Sequence, residues 1–422
     1  MNKKNIFIWT LYDFANSIVS IVFYLHFSQW LVIDKGVSDF WYNMIFTIGS
    51  VLLLLTAPIL GSIADRTGRQ QKYLNSITII TFFCFLGASI VTLFLSDKFF
   101  LAALFFLLAN YFYQFSFVFY NALLSYIAPK ENWGKVSGIG QAGNWLGQIA
   151  GLAVTLPLAG GAVYLIGEVG RAQAFLPSVI IFFILAIPML IFFKLPKKEY
   201  VPIRINLKEE YKIQWNKFRD LISDVNMKYF LLAYFFFNDA IITVANNFPI
   251  YLQNVFEISD KTKTMILGGA LITSVFGAYF SGIIADKIGL KKTLKFVLGI
   301  WVIFLPLLGI INNLNIFIGL CIIYGFIFGS IWTITRAAMT ALTPKEKLNY
   351  GFSFYTLAER VSTFIGPLSW GLITLLLASL GAVRYRVAMI VMAIFIAIGL
   401  YLIKKVKISE HKENELRASL TR

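Results

Sequence analysis

The sequence predicts an all-α polytopic membrane protein, twelve transmembrane helices in two pseudo-symmetric six-helix bundles. Three observations lead there. Of 422 residues, 58% are hydrophobic and only 14% charged, with 41 phenylalanines, more apolar surface than one soluble core can absorb. Apolar runs long enough for a hydrocarbon layer of about 30 Å, which needs roughly 20 residues per helix, recur along the whole chain. Two loop segments of the first half also return in the second.

The expected spans follow in order. The first, 6–32, is too long and too polar at its start for a secretory signal and has no small-residue cleavage site, so it reads as a retained helix. Span two, 41–63, ends at GSIADRTGRQQK, Gly61 to Lys72; span three is 73–95. Span four, 99–127, closes on ALLSYIAPKEN, Ala122 to Asn132, and span five, 136–166, opens in a glycine-rich run. Span six, 172–194, completes the first bundle, 1–194. The longest polar interval, 195–228, is the linker, with Phe218, Leu221, Ile222 and Val225 spaced for an amphipathic helix on an anionic leaflet. The second bundle, 229–403, holds spans 229–255, 264–285, 293–311, 315–342, 349–378 and 384–403, before a charged tail at 404–422. Span eight ends at GIIADKIGLKK, Gly282 to Lys292, and span ten at AAMTALTPKEK, Ala337 to Lys347, the counterparts of the two first-half loops. That register sets Asn144 opposite Glu359 and Gly151 opposite Gly366. Two such bundles predict a cleft with solute bound near the midplane.

The net charge of +16 raises nucleic acid as a partner, but the distribution argues otherwise. With the N-terminus inside, 28 of the 37 Lys and Arg fall on one side and 7 on the other, leaving Arg336 and Arg360 within spans. This is a positive-inside signal, with both termini cytoplasmic and no nucleic acid expected. Cys84 and Cys321 lie in apolar runs and read as core residues. No metal or cofactor site is expected, and no enzyme: two histidines, His26 and His411, support neither a triad nor a zinc site. His26 reads as a satisfied structural residue. GIGQAG, Gly138 to Gly143, matches the dinucleotide pattern but opens a span rather than a βαβ unit, so close helix packing explains it.

Charged groups inside a bilayer are costly and face a cavity or one another. Asp13, Asp239 and Glu359 fall at similar depth, with Arg336 and Arg360 in the second half and polar neighbours Asn16, Asn144 and Asn246. The group reads as a solute or proton site. The alternative is an ion-pair network, such as Asp239 with Arg336 or Arg360, that only fixes packing.

The loop Gly61-x-x-Ala64-Asp65-Arg66-x-Gly68-Arg69 resembles the signature of the major facilitator superfamily, over a chain whose whole length fits twelve spans. YDFANS, FYNALL, VSGIGQAGNWLG, AYFFFNDA and GFSFYTLAERVSTFIGP resemble, more narrowly, the branch that includes the fungal vacuolar amino-acid effluxers. The resemblance implies the major facilitator fold and a secondary transporter of the plasma membrane working by alternating access. Its implied partners are a small-molecule solute, protons and the lipid bilayer, and its implied form a monomer. It implies amino-acid export or exchange, with transport of a sugar, drug-like amphiphile or lysolipid, or a non-transporting receptor or scaffold, left open. It also implies a cytoplasmic gate of Gly61, Asp65, Arg66, Gly68 and Arg69, repeated as Gly282, Asp286 and Gly289. Leu290 stands where the first copy has Arg69.

Overall fold

The computed structural model describes residues 3–128, 133–194, 206–343 and 348–407, all helix, turn and connecting chain without a strand among them. The helices are α1 (Lys3–Val22), α2 (Asp39–Thr67), α3 (Gln70–Phe94), α4 (Phe99–Ala122), α5 (Leu124–Ile127), α6 (Trp133–Ala159) and α7 (Phe175–Ile191). After them come α8 (Leu207–Ile222), α9 (Val225–Phe256), α10 (Asp260–Ile288), α11 (Leu290–Ile310), α12 (Leu314–Leu342), α13 (Leu348–Val361), α14 (Ile365–Leu376) and α15 (Val383–Lys405). α1 is prolonged by two π-helical turns, Phe23–Phe27 and Trp30–Asp34.

Ten helical segments among the described residues are long and apolar enough to cross a membrane. The two other expected spans differ for physical reasons. α6 spends core-facing positions on Gly, Asn144 and Gln148, and span eleven is not one helix but two, α13 and α14. Both carry polar groups that meet buried acids.

The chain divides into two compact units, 1–211 with 258–264, and 212–257 with 265–422. In the first, α1 packs on α6 and α7, and α3 on α4 and α7; in the second, α9 packs on α15 and α14, and α11 on α15 and α12. The same span pairings thus recur in both.

Glycines let the helices approach. A Cβ at Gly143 would lie 2.7 Å from Thr10 Cγ2 and one at Gly151 2.9 Å from the Ile18 carbonyl oxygen, while at Gly147 it would strike the Phe14 carbonyl. This stripe of α6 against α1 is the packing seam that GIGQAG opens. Unit 2 uses the device between α10 and α12, where Gly277, Gly325 and Gly329 face opposing backbone and the Ser274 hydroxyl donates to the Gly325 carbonyl at 2.8 Å. Rings fill what remains: Phe23 packs on Phe85, Phe106 and Phe175 in unit 1, and Phe248 on Phe317 and Tyr324 in unit 2.

The linker contains α8, which stops at Ile222, before the Val225 that the hydrophobic spacing includes. Asp224 accepts from the Asn226 and Met227 amides and so starts α9. Val225 therefore belongs to α9 and is exposed, while Leu221 is buried. The tail from 408 onward lies outside the described residues.

Candidate functional site

In unit 1 one buried acid is Asp13, half-way along α1. α6 supplies its donor: Asn144 Nδ2 donates to Asp13 Oδ1 at 3.0 Å. Gln148, one turn on, donates to Asn144 Oδ1 at 2.8 Å, which leaves the Asn144 amide nitrogen for the carboxylate. From α4 the Tyr120 hydroxyl lies 3.4 Å from Asp13 Oδ2 and 3.2 Å from the Trp9 carbonyl oxygen. Its ring stacks on Trp9 with centroids 4.5 Å apart. Asn16 Nδ2 donates back to the Tyr12 carbonyl at 2.7 Å. Its Oδ1 is buried with no hydrogen-bond partner among the described residues. Two candidates of the sequence reading, Asp13 and Asn144, are therefore in direct contact, with Asn16 one turn along α1.

Unit 2 builds its acid differently. α13 stops at Val361 and α14 begins at Ile365. Pro367 fits the restart: it has no N–H to offer the carbonyl of Thr363, four residues back. In the first turn of α14 the missing N–H costs nothing. The freed N-terminus faces α9, where Asp239 Oδ2 accepts from the Gly366 amide at 2.6 Å. A carboxylate on orphan N–H groups at the positive end of a helix is favourable on both counts. Gly366 is required there, since a Cβ would stand 2.7 Å from Asp239 Oδ1. That oxygen is buried and has no hydrogen-bond partner among the described residues.

The ion pair of Asp239 with Arg336 or Arg360, the alternative reading of these charges, does not form among the described residues. Its place is taken by the backbone of the helix break. Next to it, Asn238 Nδ2 donates to the Ser362 hydroxyl, and Trp332 Nε1 donates to Asn238 Oδ1 at 3.2 Å. Asn238 so joins α9, α12 and the end of α13. Glu359 and Arg360 approach one another at 3.7 Å, both mostly buried. Nearby, the rings of Tyr234 and Tyr355 stack with centroids 4.6 Å apart. Asn246 is buried on α9, two turns beyond Asp239.

The repeated loops show why their glycines recur. Gly68 caps α2 at φ +63° and Gly289 precedes α11 at φ +95°, conformations that a side chain resists. A Cβ at Gly61 would meet Val118 at 3.4 Å, and one at Gly282 would meet Thr333 at 3.9 Å. The side chains of Asp65, Arg66 and Asp286, on which the expected gate turns, lie outside the described residues. Arg69 is exposed. Leu290, its counterpart, is buried with Ala285 and Ala341.

A second charged group escaped the sequence reading. In unit 1, Arg171 binds Asp260 through both carboxylate oxygens, at 2.6 and 2.9 Å, and also Asp34. Lys263 is fully buried, 2.7 Å from Asp260 Oδ1, and donates to Gln29. These residues lie at span ends far apart in sequence, where charge reads only as topology. His26 beside them is fully buried with neither ring nitrogen hydrogen-bonded among the described residues. It is not the satisfied histidine the sequence suggests.

Among the described residues no cluster of three or more His, Cys, Asp or Glu could hold a metal ion. The model of the family described as "Vacuole effluxer Atg22 like" matches residues 40–416. A protein of Aquifex aeolicus is 25% identical over 401 residues, spanning 95% of this chain and 96% of its own. An MFS-type transporter of Bacillus subtilis, YxiO, is 25% identical over 387 residues, 85% of this chain and 86% of its own. The crystal structure of a bacterial homologue of the human lysosomal transporter Spinster superposes with TM-score 0.73 at 14% identity, over 99% of both chains. At that identity it shows the fold.

Proposed function

Since the chain belongs to the Atg22-like vacuole effluxer family, we propose that it exports or exchanges amino acids, coupled to protons, by exposing its solute alternately to the two sides of the membrane. The chain is a membrane transporter of the major facilitator type and not an enzyme. The finer reading rests on one observation: Asp239 is a buried carboxylate with one oxygen on a broken helix and the other without a hydrogen-bond partner among the described residues. Groups at interrupted spans serve solutes and coupling ions in this kind of transporter.

Unit 2 carries the charges a zwitterion needs. Asp239 is the candidate for the α-ammonium, Arg336 or Arg360 for the α-carboxylate, and Glu359 for the proton. Asp13, held by uncharged donors in unit 1, is a second ammonium site. The loop glycines Gly61, Gly68, Gly282 and Gly289 with Asp65, Arg66, Arg69 and Asp286 form the gate, in a plasma-membrane protein with both termini in the cytoplasm.

Purified protein in liposomes should exchange labelled neutral amino acids, with uptake that changes when a proton gradient is imposed. Asp239→Asn should keep the helix cap, because its amide oxygen still accepts, and lose amino-acid exchange, whereas Glu359→Gln should keep exchange and lose the gradient dependence. No flux above empty vesicles for any of the twenty amino acids would sink the substrate assignment.

A further inference from the structure

α8 presents three faces, and the protein uses only one. Glu210, Gln214, Phe218 and Leu221 recur at helical spacing and turn inward: Glu210 is buried and accepts from the Ser62 hydroxyl at 3.1 Å, and Phe218 meets Phe354 with ring centroids 5.4 Å apart. Glu209, Asn216 and Asp220 form an exposed polar face roughly opposite.

Between these lies an edge of another composition. Tyr211 and Trp215, one turn apart, are 45% and 59% exposed. Arg219 continues their row, and Lys208 and Lys212 form the next, all three exposed. Three of the four cations of α8 thus gather beside its exposed rings, Lys217 standing on the far flank, and the exposed acids Glu209 and Asp220 lie on the other side. A stripe of this kind is the pattern of a helix lying in a membrane interface, where Tyr and Trp sit at headgroup level and cations meet lipid phosphate.

An independent contact sets the depth. The Tyr211 hydroxyl donates to the Leu55 carbonyl at 2.7 Å. Leu55 and Leu54 are each 50% exposed on α2, a membrane-spanning helix, so the apolar surface around them is lipid-facing. Tyr211 therefore begins its aromatic edge against a helix already in the bilayer.

We propose that α8 is an interfacial anchor: its Tyr211–Trp215 edge enters the bilayer, and Lys208, Lys212 and Arg219 bind the phosphodiester headgroups of anionic phospholipids. The assignment does not depend on which solute is carried. Each cation near an anionic surface raises the local partition about fivefold.

The test uses the full chain in nanodiscs of phosphatidylcholine, or of an equimolar mixture with phosphatidylglycerol, with a spin label at Trp215→Cys or at Asn216→Cys. At 215 oxygen should quench more than a water-soluble nickel complex, and at 216 the reverse. The contrast at 215 should rise with phosphatidylglycerol and fall back when Lys208→Gln, Lys212→Gln and Arg219→Gln are combined. Hydrogen exchange across 207–222 of the unaltered chain, slower in the anionic discs, reports the same docking without any substitution. Equal nickel access at 215 and 216 would overturn the interfacial placement and point to solvent or a protein partner. Identical contrast and exchange in the two lipids would overturn the anionic headgroup.

Discussion

Asp13 shows what single residues decide here. Its carboxylate is held by Asn144 from α6 and faces Tyr120 from α4, so Asn144→Leu removes a donor from a buried charge. We expect a loss of about 1–3 kcal/mol, read as a lower unfolding temperature in detergent. Asp239→Ala strips the cap of α14 and should cost about 0.5–2 kcal/mol, whereas Asp239→Asn should stay near wild type in the same measurement. His26 should behave in the opposite way. Its ring nitrogens have no hydrogen-bond partner among the described residues, and a buried polar group left unsatisfied costs about 1–3 kcal/mol, so His26→Leu should raise the unfolding temperature. A drop would mean that the ring has a partner that matters. Asp13 and Asp239 stand out in the sequence because acids are rare in apolar runs. Of their partners, Asn144 is legible as a polar residue within a span, whereas the Gly366 amide, after an isoleucine, carries no signal of its own.

At the level of elements, α6 and the α13–α14 break depart most from plain membrane helices. Gly147 sits where any side chain meets the Phe14 carbonyl, while nothing lies within 4 Å of a Cβ at Gly138. Gly147→Ala should destabilise by about 1–3 kcal/mol or more, and Gly138→Ala should leave folding unchanged. Comparable yields and melting temperatures for the two would refute the packing seam. The small-residue spacing in VSGIGQAGNWLG made that seam legible, because three- and four-residue intervals put glycines on one face. The break at 362–364 was less legible. Span eleven reads as one run from hydropathy, and Pro367 alone does not mark a break, since Pro58, Pro157, Pro188, Pro249 and Pro306 lie inside continuous helices. Similarly, the hydrophobic spacing carried α8 past Ile222 because it ignored the cap that Asp224 provides.

For the whole molecule, the charge asymmetry makes a prediction that no internal contact can make. Lys98 is 64% exposed in the connection between α3 and α4, and Lys287 is exposed in the last turn of α10. With both termini in the cytoplasm, Lys98→Cys should react with a membrane-impermeant maleimide in intact cells and Lys287→Cys only after lysis. The reverse pattern would invert the topology. In unit 1, Arg171→Met would leave Asp34 and Asp260 facing each other with less compensation. Removing one partner of a buried ionic cluster typically costs about 3–5 kcal/mol, so a fall in thermal stability of that order is expected.

The sequence alone determined that this chain is built for a bilayer, that its two halves repeat, and that acids sit at matching places in equivalent helices. These properties are local or periodic: hydropathy, loop motifs and charge sidedness are written residue by residue. The tertiary structure decided what each acid does. Asp13 meets a side chain more than a hundred residues away, and Asp239 meets the start of a helix whose existence depends on a break in its neighbour. Both contacts form only when distant helices are brought within hydrogen-bond range, and no spacing along the chain encodes them.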